Sequence, residues 1–153
     1  MTGRALAVAC LGPSDALTVI KEKPMKFLCL ICAEKMMEHM PEADAERHFE
    51  EYREFTEAIT KSGSFIGCNR LLPPDAAITV RVRQGKVSTT DGPYVETKEQ
   101  LGGYYVIEAK DLQEAIRVAS QIPGARLGCV EVRPIAEDAQ TLRALGAAQH
   151  ARL

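Results

Sequence analysis

The sequence predicts an α+β domain, a ferredoxin-like βαββαβ plan with an inserted β-hairpin. Three observations carry this expectation. Runs of strand length are interleaved with two segments of helical periodicity, in the order strand, helix, strand, hairpin, strand, helix, strand. Proline and glycine punctuate the junctions. Two helices would cover only one face of such a sheet, and the first and last strands are apolar enough to need cover on the other.

Lys26 to Cys32 is a near-continuous apolar run, which predicts a central strand covered on both faces. Glu34 to Pro41 is a methionine-rich connection, and Asp44 is placed to N-cap a helix running to about Ser62, where Gly63 closes it. Ala45, Phe49, Tyr52, Thr56 and Ile59 recur at three-to-four spacing and predict the packed side; Glu46, Glu50, Glu51, Glu54 and Glu57 predict an acidic, solvated one. Phe65 to Leu72 reads as the second strand, stopped by Pro73-Pro74. Ile78 to Val82 alternates with Thr79, Arg81 and Arg83, and Gln84-Gly85 invites a two-residue turn. That hairpin sets Val82 opposite Val87 and Arg81 opposite Ser88, so Arg81 and Arg83 share one polar face. Leu101 to Ala109 is the next strand. Asp111 and Glu114 then form a capping-box analogue that opens a helix with the stripe Leu112, Ala115, Ile116 and Ala119, ended by Pro123-Gly124. Cys129 to Arg133 is the last strand, stopped by Pro134. The domain therefore spans residues 25–134, behind an extension at 1–24 and before an alanine-rich tail at 135–153 that predicts a short helix.

A chain of 153 residues fits one domain that buries about 68% of its unfolded surface, enough for a core without a metal or disulfide staple. Its 19 basic and 21 acidic residues give a net charge of −2, which offers no long-range attraction for a phosphate backbone or an anionic membrane. Neither nucleic acid nor membrane is an expected partner. Five cysteines without a framework spacing read as small buried hydrophobes in a reducing compartment, so the expected location is cytoplasmic. Arg4 before the run Ala5 to Leu11, with Cys10, faintly mimics a lipoprotein signal, but the run is short and its charged flank almost absent. Lys23-Pro24 sets that segment apart from Met25, a natural start for the domain. A bare sheet face is most simply covered by a second copy of itself, which predicts a homodimer.

The chemistry concentrates between Asp91 and Tyr105, where turn formers and ionisable side chains crowd between two strands. Asp91, at the end of a strand and before Gly92-Pro93, is placed either as a general acid or base or to close an Asx-turn. Glu96, Lys98 and Glu99 form a mixed-charge cluster, and a lysine between carboxylates can stabilise an enolate or carboxylate ligand. Gly102-Gly103 predicts a bulge or a close backbone approach. Tyr104 and Tyr105 point to opposite sheet faces, one to the core and one to a cleft. Arg81 and Arg83 either clamp an anion or guard an edge hairpin against mispairing. Glu131 and Arg133 share the face away from Val130 and Val132 and are ligand contacts or a buried pair if that face lines the cleft. His48 flanks the apolar stripe early on the first helix, as a ligand contact or as a structural histidine. His39 lies among Met36, Met37 and Met40, where a hydrophobic lip is a better reading than a copper site. Cys29 and Cys32 are three apart on a strand, so their thiols point to opposite faces and cannot clasp a metal together. No phosphate loop, Ser-His-Asp order or HExxH helix is present, and no metal or cofactor is expected.

The stretch Asp91-Gly92-Pro93-Tyr94, followed by Glu96-Thr97-Lys98-Glu99 and Gly102-Gly103, resembles the DGPF signature of the YCII-related proteins, with Tyr94 where phenylalanine is common. The resemblance covers roughly Met25 to Pro134 and implies the dimeric α+β barrel group. It raises Glu96, Lys98 and Glu99 as site residues and adds Tyr94 to them. YCII-related proteins outside the DGPF branch are thought to use a histidine–aspartate dyad, which brings His48 into consideration. Members of the group include isomerases, dehalogenating lyases and monooxygenases. The expected function is therefore cofactor-free acid–base catalysis of lyase or isomerase type on a small polar or aromatic metabolite. Asp91 would be the acid or base, Lys98 and Arg81 would offset substrate charge, and a tyrosine would orient the ligand. The alternative implied by the resemblance is a non-catalytic ligand-binding or regulatory protein associated with an extracytoplasmic-function sigma factor.

Overall fold

A computed structural model describes residues 23–34 and 39–137. The lipoprotein-like run and the tail beyond residue 137 lie outside the described residues. The elements run β1 (Met25–Ala33), α1 (Glu42–Lys61), β2 (Phe65–Arg70), β3 (Ile78–Arg83), β4 (Lys86–Asp91), β5 (Gln100–Ala109), α2 (Leu112–Ala119) and β6 (Gly128–Pro134), with 3-10 turns at Pro74–Ala76 and Pro123–Arg126. The class is α+β. Four strands form one sheet in the order β2-β5-β1-β6 with every neighbouring pair antiparallel, and β3-β4 form a separate two-stranded sheet.

Alternation along the strands decides which side chains meet the helices. Phe27 and Cys29 of β1 lie opposite Ile107 and Tyr105 of β5, and with Ala109 they form the buried face under α1 and α2. Phe55 and Ile59 of α1, Ala115 and Ala119 of α2, and Ile122 close this core. Val130 and Val132 pack against the same core, so on β6 it is the charged set that faces the other way. The open face therefore holds Leu28, Leu30, Tyr104 and Val106, all half-buried, at its centre, with Cys129, Glu131 and Arg133 along the β6 edge. The expectation of an apolar open face holds for β1 and fails for β6.

Both helices are rotated from their expected faces. α1 begins at Glu42, two residues before Asp44, because Pro41 occupies the N-cap with no side-chain cap and its carbonyl accepts the N–H groups of Asp44 and Ala45 at 2.9 Å. Asp44 thus contributes charge to the first turn, 3.4 Å from Arg47, and is not the cap. Phe55 is buried where Phe49 was expected; Phe49 is 69% exposed. In α2 the capping residues act as expected: the Glu114 N–H donates to Asp111 at 2.7 Å, and the Glu114 carboxylate accepts from the Lys110 N–H at 2.7 Å. The packed stripe there is Ala115 and Ala119, continued by Val118 and Ile122, with Leu112 and Ile116 left nearly half exposed.

The β3-β4 turn places Gln84 at φ 50° and Gly85 at φ 74°, and the pairs Val82 with Val87 and Arg81 with Ser88 form as expected. In Gly102-Gly103, the β1-β5 register shifts beside Gly102, and a Cβ on Gly103 would lie 2.9 Å from the Asn69 carbonyl oxygen. Bulge and close approach are both present, one at each glycine.

Burial of Cys29 gives the fold an alkaline limit. Its thiol, fully buried, is pushed up from 9.0 to about 11 by desolvation, and burial raises the Tyr52 and Tyr105 hydroxyls as well. The unfolded chain therefore sheds these protons first. The stabilising contribution is complete below about pH 9 and declines as pH rises towards 11, Cys29 alone accounting for about 3 kcal/mol at about 1.4 kcal/mol per pH unit. Urea midpoints measured from pH 8 to 11 should be level and then fall; a flat profile to pH 11 would place Cys29 in water.

Candidate functional site

The face of α1 that looks toward the sheet carries His48, Tyr52 and Thr56 one turn apart, and each is fixed from below. Thr56 donates its single hydroxyl proton to the Tyr52 carbonyl at 2.7 Å, so the 2.7 Å contact between Thr56 Oγ1 and Tyr105 Oη is a bond donated by Tyr105. Tyr52 Oη accepts the Gly124 N–H at 3.1 Å, which leaves its own proton available, and burial keeps that phenol neutral. The Tyr52 and Tyr105 rings lie parallel with centroids 6.5 Å apart, and Phe55 meets Tyr105 edge-on at 5.3 Å. A Cβ on Gly124 would lie 2.6 Å from Tyr52 Oη, so only glycine lets this turn approach so closely.

His48 stands at the end of the row. Its ring meets Tyr52 edge-on at 5.0 Å, its side chain is 11% exposed, and Nδ1 lies 3.6 Å from Glu51 Oε2, an electrostatic approach rather than a hydrogen bond. Arg126 binds the same Glu51 oxygen from the far side. Nε2 is buried and has no hydrogen-bond partner among the described residues. Such an atom is costly to leave unmet, and a functional role is one of the usual reasons for keeping it.

Above this row opens a cleft of about 800 Å³ between α1, the start of β5 and the segment from Leu71 to Pro74. Its floor is aromatic, with Tyr52 and Tyr105, and Phe49, Leu72 and Leu101 line its mouth. His48 also borders a second hollow of about 610 Å³ at the N-terminal end of α1, where Glu51, Arg126, His39 and Met40 meet. Of the two tyrosines left open by the sequence, Tyr105 is the core residue; Tyr104 lies on the other face, its hydroxyl accepting from Asn69 at 2.9 Å.

The other expected site residues gather elsewhere. Asp91 is exposed at the end of β4 opposite Ile78; the bend after it is held by the Gly92 N–H on the Ala77 carbonyl at 2.7 Å and by Thr79 on the Gly92 carbonyl at 2.8 Å, with no Asx-turn bond from Asp91. Tyr94 is 81% exposed and Glu96 is exposed without a side-chain partner among the described residues. Lys98, itself well exposed, reaches Glu34 at 3.0 Å, and Glu34 lines both hollows. Glu99 accepts from Cys129 at 3.4 Å, which raises that thiol, and Cys129 pairs with Cys32 across β1 and β6. Arg133 closes on Glu131 at 2.8 Å on the open face. Arg81 and Arg83 are exposed on the free hairpin. The cleft thus lies between α1 and the sheet, and the signature bend reaches only its rim, through Gln100 and through the bond from Lys98 to Glu34. Reading the sequence missed Glu51, Tyr52 and Arg126 as site residues; the one local signal was Glu51 at one helical turn from His48.

Among the described residues no helix is long and apolar enough to cross a membrane, and no group of three metal-ligating side chains converges. Fold and site together define an α+β protein with an antiparallel sheet and an aromatic, histidine-bearing cleft. The chain belongs to the YCII-related domain family, whose pattern matches residues 25–138. It is also 45% identical over 69 residues to an uncharacterized protein of Rhizobium meliloti (strain 1021); the match takes in 44% of this chain and 56% of that protein.

Proposed function

We propose that the chain is a cytoplasmic homodimer of ferredoxin-like subunits, assembled as a dimeric α+β barrel, that binds a small aromatic or polar metabolite in the α1 cleft and moves a proton on it without a cofactor. The half-buried Leu28, Leu30, Tyr104 and Val106 on the open sheet face support the dimer, since a second copy can complete their burial. The observation that carries the chemistry is the unpartnered Nε2 of His48. A ligand atom would supply the missing partner, Glu51 would stabilise the imidazolium through Nδ1, and Tyr52 would donate its free proton to the ligand. One acid–base residue beside one neutral donor in an aromatic pocket is a set of groups that lyase and isomerase reactions use. Asp91 and Lys98 lie outside the cleft of their own subunit and enter the reaction only if assembly brings them to it.

His48→Leu separates binding from folding. It removes an unmet polar atom, so the ligand-free melting temperature should stay level or rise, by up to about 1 kcal/mol in stability. A thermal-shift screen of phenols and small aromatic carboxylates should stabilise the wild type and leave His48→Leu unmoved. If His48→Leu is stabilised like the wild type, the cleft histidine is structural; if only Asp91→Asn loses the response, the site lies at the signature bend.

A further inference from the structure

Among the described residues the β3-β4 hairpin lacks a partner strand. No residue in it is buried, and its strands pair only with each other. An isolated two-stranded hairpin is marginal in water, yet this one is strongly two-sided. Ile78, Val80, Val82 and Val87 share one face and are 55–69% exposed, whereas Arg81, Arg83 and Lys86 belong to the basic side. A hairpin meant for water would be polar on both faces; this pattern marks one face for contact. Asp91 lies directly opposite Ile78 and so belongs to the apolar face.

The surface that complements it is on the same chain but outside the hairpin's own contacts. Phe49 and Leu72, 69% and 78% exposed, stand at the mouth of the α1 cleft. α1 around them carries seven carboxylates against three cations, and Glu46 and Glu54 have no ion pair among the described residues. A hairpin with an apolar face and long basic side chains behind it thus matches in character an apolar mouth beside an acidic helix. Six-residue strands reach about 20 Å, twice the roughly 10 Å between stacked layers, so an arm rooted beyond the edge strand β2 can pass a sheet-to-sheet interface.

We propose that the hairpin is an exchanged arm that closes over the cleft mouth of a second copy of this chain and delivers Asp91 to it. This rests on the homodimer reading and deepens it: each cleft takes His48 and Tyr52 from one subunit and Asp91 of the partner subunit from the other. The signature bend is then part of the site only in the assembled protein.

The test uses the whole chain with Cys10, Cys32, Cys68 and Cys129 replaced by serine, which leaves only the buried Cys29 as a native thiol. Val82→Cys and Phe49→Cys variants are mixed and treated with a bis-maleimide cross-linker. The mixture should give a covalent heterodimer that neither variant gives alone. A Val82→Cys/Phe49→Cys double variant that cross-links within one chain, or a mixture that does not cross-link, overturns the arm. In parallel, Val80→Glu/Val82→Glu should weaken dimerisation at least about ten-fold in sedimentation while keeping the core's melting temperature. An unchanged dimer constant in that variant overturns the arm and leaves the sheet-face dimer standing. A wild-type chain that sediments as a monomer at every concentration removes the homodimer reading itself.

Discussion

Gly128→Ala should destabilise the protein by about 3 kcal/mol or more and lower its melting temperature by about 6 to 12 °C. Gly128 opens β6 and pairs with Ala33 at the end of β1. A Cβ there would sit 2.0 Å from the Cys32 carbonyl oxygen and 2.8 Å from the Ala33 Cα. These are backbone atoms, so no side chain can rotate away; relief requires β1 and β6 to part. Parting them would also disturb Ala33 and Glu34, which line the cleft, so ligand binding should weaken in step with stability. Denaturant titration of the variant checks the first effect. A loss under about 1 kcal/mol would mean that the two strands do not meet in this register.

Phe55→Ala should cost about 3 to 5 kcal/mol, whereas Phe49→Ala should leave the fold's own stability within about 0.5 kcal/mol. Phe55 is 7% exposed, packs edge-on against Tyr105 and shares the core with Ile59; Phe49, less than two turns earlier, is 69% exposed. The pair discriminates sharply because both residues have the same chemistry on the same helix. Equal losses would show that α1 is rotated from the orientation described, and would move His48 off the cleft with it.

That contrast also shows why strands were easier to read than helix faces. A period of two leaves only two choices, and alternation separated the two faces of Ile78–Arg83 and of β6, although for β6 it did not say which of them met the core. Helical periodicity leaves a continuous angle. Tyr52 and Ile59 belong both to the expected stripe through Phe49 and to the packed one through Phe55, so the sequence pattern alone could not choose. α2 shows the same ambiguity, with Ala115 and Ala119 shared and Leu112 exchanged for Val118. Caps divide in a similar way. Asp111 was legible because its bonds lie within four residues, whereas Asp44 was misplaced because Pro41 set the start of α1 by backbone geometry.

The site was half legible. His48 stood out as a titratable residue beside an apolar stripe. Its surroundings did not. Arg126 reaches Glu51 across 75 residues, and the Gly124 N–H reaches Tyr52 across 72, both through a turn whose return to α1 is a property of the folded chain. The crowded stretch from Asp91 to Glu99 drew attention by composition, yet most of it lies exposed in the single subunit. Local crowding reports where a ligand or neighbour can be met; it does not say which surface completes the site.

The aromatic floor has a practical corollary. The chain contains no tryptophan and four tyrosines, of which Tyr52 and Tyr105 floor the cleft, Tyr104 lies on the opposite sheet face against Asn69 and Tyr94 stands in solvent. Two of its four emitting phenols are thus placed where an incoming molecule would quench or shield them. Titrations can be followed by intrinsic fluorescence, with no dye and no label, and Tyr94→Phe would remove the one solvent-borne contribution to the background.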